Sequence, residues 1–253
     1  MNLTGVILTK SEEENISQCI KSVYFCDEVI IIDDYSTDKT TEIARKLGAR
    51  VYKRSLNDDF ASQRNFGLAK ATSKWALFLD ADERIAVALR DEIIQMVNNP
   101  LITYEGFFLK RKDVVWGKEI NQGEVGRVKL LRLAKKSSGK WRRRVHEIWQ
   151  IKGKTKALVN PILHYPHSNL REFIKDINYF STLHSSANRQ ERKNASLAKI
   201  VIWPLGKFVY NWIFKLGFRD KTAGFVTAGV MSFHSFLAWS KLWFLQRKDF
   251  TSV

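Results

Sequence analysis

Asp80-Ala81-Asp82 follows directly on the apolar run Trp75-Ala76-Leu77-Phe78-Leu79. Two carboxylates one residue apart at the end of a buried strand supply hard oxygen ligands. This is the donor set Mg²⁺ or Mn²⁺ takes when held against a pair of phosphates. A nucleotide diphosphate must have its charge neutralised before it can leave, so the pair suits chemistry that releases one. A lone Asp-X-Asp is more often a solvated turn. Against the turn stands a second acidic strand end, Asp33-Asp34, closing the β-branched run from Glu28 and followed by Tyr35-Ser36-Thr37-Asp38.

The elements that would position these acids alternate. Leu3 to Leu8 reads as a strand, and Ser11 with Glu14 forms a capping-box pattern before a helix carrying Ile16, Cys19, Ile20 and Val23. After the Glu28 to Asp33 strand come a helix over Thr41 to Leu47, a stop at Gly48, and a strand over Ala49 to Tyr52. A helix over Ala61 to Ala71 and the Trp75 to Leu79 strand follow. Continuous apolar strands alternating with helices predict an α/β fold with a mostly parallel, Rossmann-like sheet covered on both faces. Such sheets bind ligands at the carboxyl ends of their strands, so Thr9-Lys10, Asp33-Asp34 and Asp80-Ala81-Asp82 should converge on one crevice.

Beyond Asn99-Pro100, Gly106 to Lys112 and Val128 to Leu133 alternate as strands, and Trp141 to Ile151 reads as another. From Leu170 the pattern is helical, polar over Arg171 to Arg192 and then rich in Trp and Phe. The expected division is one domain over 1–168, in two halves (1–99 and 100–168). A helical, basic, aromatic-rich extension covers 169–253.

With 253 residues, 45% of them hydrophobic and 27% charged, the chain can bury a substantial core and is neither a disordered tail nor a polytopic membrane protein. Its net charge of +16 calls for an anionic partner: nucleic acid, an acidic membrane or a phosphorylated ligand. Nucleic acid is disfavoured, because no recognised binding motif is present and the acidic strand ends would repel a polyanion. A nucleotidyltransferase would carry a Gly-rich loop after the first strand, which Thr9-Lys10-Ser11-Glu12 is not. Cys19 and Cys26 match no zinc pattern and are expected as reduced thiols. Met1 to Leu8 is too short for a signal peptide, which predicts a cytosolic protein. Charges interrupt every apolar run of the tail, leaving no span of about 20 residues. Trp203, Trp212, Trp239 and Trp243 among Leu, Phe and Lys suit helices lying in a membrane interface. A helical pair packed on the catalytic domain or on a second copy is the competing reading.

In the order and spacing of its motifs the chain resembles the family 2 inverting glycosyltransferases with the GT-A fold. The matching pieces are Thr9-Lys10 with Glu12-Glu13-Glu14-Asn15, Asp33-Asp34-Tyr35-Ser36-Thr37-Asp38, Gln63-Arg64-Asn65-Phe66-Gly67 and Asp80-Ala81-Asp82-Glu83. Within that family it is similar to the WaaE-type β-1,4-glucosyltransferases of lipopolysaccharide core assembly, over roughly the whole chain and more weakly in the tail. The resemblance implies that Thr9 and Glu13 lie near the nucleobase and that Asp34 accepts a hydrogen bond from uracil or ribose. Arg64 would contact the diphosphate or orient Asp80. Asp80 would touch ribose and metal, and Asp82 would be the principal ligand of Mg²⁺ or Mn²⁺. Arg64 could instead simply pair with a carboxylate, and Glu13 could be only a helix-capping acid.

An inverting transfer needs a base on the acceptor hydroxyl. Val145-His146-Glu147 resembles the Val-His-Glu segment of those enzymes, which makes Glu147 the candidate base and His146 a metal or phosphate ligand. Asp113 is a weaker candidate base. Arg127, Arg132 and Arg142 to Arg144 could clamp phosphates, at most two of them directly. The implied reaction moves a hexose, glucose from UDP-glucose, to a lipopolysaccharide core or a related glycan or lipid-linked acceptor. A capsular, polyprenyl-phosphate or peptide acceptor is the alternative. The expected location is peripheral, on an anionic surface at the cytoplasmic face of the inner membrane. Oligomeric state is left open.

Overall fold

The computed structural model describes residues 2–250 except 125, 127, 146 and 167–169. In chain order it forms β1 (Leu3–Thr9), α1 (Ile16–Ser22), β2 (Glu28–Asp33), α2 (Thr40–Lys46), β3 (Arg50–Lys53), α3 (Phe60–Lys70) and β4 (Trp75–Asp80). Then come β5 (Glu83–Ile85), α4 (Val87–Asn98), β6 (Gly106–Val115), β7 (Lys118–Ile120), β8 (Lys129–Lys135), β9 (Gly139–Arg142), β10 (Ile148–Ile151) and β11 (Thr155–His164). Three helices close the chain: α5 (Leu170–Gln190), α6 (Leu197–Val209) and α7 (Lys221–Phe250). Contacts divide it into two compact units, residues 1–111 with 128–164 and residues 112–127 with 165–253.

The first unit has the expected α/β architecture, its strands ordered β3-β2-β1-β4-β8-β6-β11-β5. The strands β3, β2, β1 and β4 are mutually parallel, while β8 joins β4 antiparallel and β6 joins β8 antiparallel. Strand alternation sends side chains to two cores. Leu3, Ile7, Ile31, Leu77 and Leu79 pack with Ile16, Cys19 and Ile20 of α1 and with Leu89 and Ile93 of α4. Val6, Ile30, Ile32, Ala76 and Phe78 pack with Ala61 and Leu68 of α3 on the other face. Gly67 lets α3 approach closely, since a Cβ there would meet Val6 Cγ1 at 2.7 Å.

Two local expectations are corrected. The Ser11/Glu14 capping box does not form: α1 starts at Ile16, and its N-cap Asn15 makes no side-chain cap. Ser11 sits at a φ of 52° and donates its N–H to Ser36 Oγ at 2.8 Å, so it laces two loops together rather than starting a helix. Trp141 to Ile151 is a hairpin rather than one strand, because β9 turns back on β10 with Trp141 opposite Trp149.

In the second unit the end of β6 pairs with β7, Asp113 opposite Ile120. Val115 and Ile120 pack against Ala223 of α7, which is why residues 112–127 group with the C-terminal helices and not with the strands around them in sequence. Lys241 of α7 donates to Asn178 O, Asn178 Oδ1, Ser181 Oγ and Thr182 Oγ1 of α5, at 2.6–2.8 Å. Among the described residues no helix is long and apolar enough to cross a membrane.

Candidate active site

The carboxyl ends of β1, β2 and β4 stand side by side, because Thr9 pairs with Asp33 and Leu8 with Asp80. The loops leaving them are stitched together. Lys10 Nζ donates to Asp34 Oδ2 at 2.8 Å, and Asp34 Oδ1 accepts from Leu56 N at 2.9 Å. The exposed Glu13 donates its N–H to Asp38 Oδ2 and accepts from Lys39 N, both at 3.1 Å. Thr9 is buried, and its Oγ1 has no hydrogen-bond partner among the described residues.

Two arginines organise the acids at the end of β4. Arg64, 2% exposed on α3, donates from Nη2 to Asp80 Oδ1 at 2.9 Å and from Nε to Glu147 Oε1 at 2.8 Å. Arg132 of β8 donates from Nη2 to Asp80 Oδ2 at 2.6 Å and to Glu83 Oε1 at 3.3 Å. The result is a chain of alternating charge, Glu147–Arg64–Asp80–Arg132–Glu83. Glu83 also accepts from Asp80 N at 2.9 Å, which folds the chain back on itself after the strand. Burial opposes the Asp80 charge, but the Arg132 and Arg64 guanidiniums outweigh it and hold the carboxyl well below the usual carboxylate range. Burial raises the Glu83 carboxyl, and Arg132 offsets that only in part. Burial opposes the Arg132 charge too, yet Asp80, Glu83 and Glu147 push its proton affinity up.

Asp82 is placed differently. Its Oδ2 lies 3.1 Å from His164 Nε2 at the end of β11, while its buried Oδ1 has no hydrogen-bond partner among the described residues. That orphaned oxygen beside an imidazole fits a divalent cation. No group of three or more His, Cys, Asp or Glu side chains arranged for a metal exists among the described residues. Each Asp80 oxygen accepts from one arginine and keeps a second lone pair. His146 and Arg127 lie outside the described residues. Asp113 falls in the second unit, buried on β6.

Residues 5–100 match the sequence model of the family described as glycosyl transferase family 2. The chain is 26% identical to an uncharacterized glycosyltransferase of Rickettsia typhi, over 95% of this chain and 86% of that protein. It is 25% identical to the lipopolysaccharide core biosynthesis glycosyltransferase LpsC of Rhizobium meliloti, over 95% of this chain and 92% of that protein. The chain is a glycosyltransferase. Among solved structures, glucosyl-3-phosphoglycerate synthase from Mycobacterium tuberculosis, in complex with Mn²⁺, UDP and glucosyl-3-phosphoglycerate, matches with a TM-score of 0.45. The identity is 17%, over 68% of this chain and 74% of the other.

Three residues of this candidate site escaped the sequence reading. His164 had a signal: it shares a strand face with buried Leu158 and Ile162 at period two, after a turn at Gly153. Trp141, whose ring lies 4.9 Å from the Arg64 guanidinium carbon, read only as part of a basic segment. Asn65 joins α3 to β9 in both directions, Nδ2 donating to Trp141 O and Trp141 N donating to Oδ1, each at 2.9 Å. The hairpin bearing Glu147 is therefore anchored by the residue next to Arg64. Asn65→Ala is expected to cost about 1–3 kcal/mol of stability, the penalty for unpaired backbone groups. It should also lower kcat more than it raises KM for the donor. Unchanged kcat in a well-folded variant would show that the anchor does not position Glu147.

Proposed function

We propose that this enzyme transfers a hexose, glucose from UDP-glucose, with inversion to a saccharide of a lipopolysaccharide core, as a β-1,4-glucosyltransferase of the WaaE type. The observation that carries the chemistry is Arg64, which ties Asp80 at the strand end to Glu147 on the hairpin. One buried guanidinium thus sets the position of a donor-side acid and an acceptor-side acid together. The relation to LpsC supports the acceptor class. The functional division is a catalytic domain over 1–168 and an extension over 169–253 that makes the enzyme peripheral on the cytoplasmic face of the inner membrane.

In this reading Thr9 Oγ1 and Asp34 receive the nucleobase and ribose, with Glu13 holding the loop that carries them. Asp82 and His164 hold Mg²⁺ or Mn²⁺, with His146 as a further candidate ligand. A divalent cation there supplies positive charge against the departing diphosphate. Glu147 takes the proton of the acceptor hydroxyl as that oxygen bonds the anomeric carbon from the face opposite the breaking bond to phosphate. Arg64 holds Glu147 Oε1, which aims Oε2 at the acceptor.

Calorimetric titration with UDP, GDP and UDP-glucose, each with and without Mn²⁺, tests the donor half. Uridine ligands should bind only with metal, and Asp82→Asn should weaken that binding by at least about 10–100-fold, the range lost even when only a supporting partner of a metal ligand is removed. Metal-independent binding unaltered in Asp82→Asn would remove the metal role. Transfer of labelled glucose to core oligosaccharide and not to capsular, polyprenyl-phosphate or peptide acceptors is the expected acceptor result.

A further inference from the structure

Helix α6 exposes an apolar surface that no described residue covers. Leu197, Val201, Leu205, Val209 and Ile213 recur every four positions and are all exposed, Leu197 at 77% and Leu205 at 63%. Ile202, Tyr210 and Phe214 form a second row beside them, with Ile202 at 66% and Phe214 at 72%. On a regular α-helix each step of four residues rotates a row by about 40°. Residues Tyr210–Phe214 form a π-helical turn, whose wider winding counters part of that drift.

The opposite side of the same segment is committed to α7. Pro204 and Asn211 are buried, Pro204 O accepts from Ser232 Oγ at 2.7 Å, and Phe208 and Trp212 meet Phe225 edge-on at 5.5 and 5.2 Å. The outward face is thus not a core face left uncovered by misalignment. Its charge has one sign: residues 192–219 contain Arg192, Lys193, Lys199, Lys207, Lys215 and Arg219 and no acid. Two of these pair with neighbouring carboxylates, Lys193 with Glu191 and Lys207 with Glu124; among the described residues the other four have no carboxylate partner, with Lys199 over the Trp239 ring of α7 and Lys215 over the Tyr210 ring.

The geometry points to an anionic lipid bilayer as the partner of this face. α6 and its π turn lie in the plane of the headgroups, the two apolar rows reach the acyl boundary, and the cations meet lipid phosphates. A second copy is the poorer occupant, because a two-fold contact would set the same basic segment against itself. This inference rests on the peripheral reading above and is independent of the catalytic roles.

The test is co-sedimentation of the full chain with phosphatidylcholine vesicles and with vesicles that also contain phosphatidylglycerol. The expected result is binding to the anionic vesicles, weakened by salt. Leu205→Ser/Phe214→Ser should reduce it by at least about tenfold, given the apolar area withdrawn, and Leu197→Ser/Ile202→Ser should act alike. Both variants should keep their circular dichroism and their UDP-glucose binding. Absence of vesicle binding in a preparation that binds UDP-glucose would overturn the inference and leave the catalytic reading intact. So would undiminished binding by both variants, or a dimer in light scattering that the substitutions disperse. Vesicle binding retained without any donor binding would sink the catalytic reading alone.

Discussion

Glu147→Gln is expected to bind UDP-glucose and metal as the parent does and to turn over about 10²–10⁴-fold more slowly, the usual contribution of a positioned general base. The amide is a discriminating replacement because its oxygen still accepts from Arg64 Nε, as Glu147 Oε1 does at 2.8 Å. The hairpin geometry therefore survives and only the proton acceptor is lost. Glu147→Ala removes both and should also disturb donor binding through Arg64 and Asp80. Single-turnover transfer alongside calorimetry separates the two effects. Turnover of Glu147→Gln close to the parent's would assign proton removal to another carboxylate and leave Glu147 as a structural partner of Arg64.

Arg64→Met is expected to do more damage to the fold than any other single change in the site. The guanidinium is 2% exposed and serves two carboxylates, so its removal leaves Glu147 without its partner and Asp80 with Arg132 alone. Breaking a buried pair costs about 3–5 kcal/mol. The lower end applies here, because the Asp80 side chain is about a third exposed and keeps its second arginine. For a chain of this size that corresponds to a fall in Tm of about 6–12 °C, together with loss of transfer. Arg64→Lys restores the charge without the fork and cannot reach both carboxylates in one geometry. It should recover part of the stability and little of the activity. A thermal midpoint unmoved in Arg64→Met would mean that the alternating chain of charges contributes nothing to holding β4, β8 and the hairpin together.

Both predictions depend on contacts that span most of the first unit. Arg64 meets Glu147 across 83 positions, and Asp82 meets His164 across 82. Local pattern could place each residue on an element but could not say which elements lie side by side once the antiparallel strands are added. The parallel half was legible because its strands are buried on both faces and read as unbroken apolar runs, each ending in polar residues. Where local signals misled, tertiary contacts had taken over the residue concerned. Ser11 and Glu13 look like helix-starting residues, yet both bond to the neighbouring loop at residues 36–39 instead. The arginines of α3 and β8 meet both oxygens of Asp80, a pairing that its place beside Asp82 in sequence does not reveal.

The amino-acid sequence by itself determined the alternation of strands and helices through β4, the acids at the strand ends and the basic, aromatic character of the tail. These follow from hydrophobic period and residue type within windows of ten or so positions. Tertiary structure alone decided that Arg64, Arg132, Asp80, Glu83 and Glu147 form one alternating chain, that Asn65 anchors the hairpin, and that residues 112–127 group with the C-terminal helices. It also decided which rows of α6 face outward. A charged side chain selects its partner by distance and burial, and both are set only when strands far apart in sequence are brought into register.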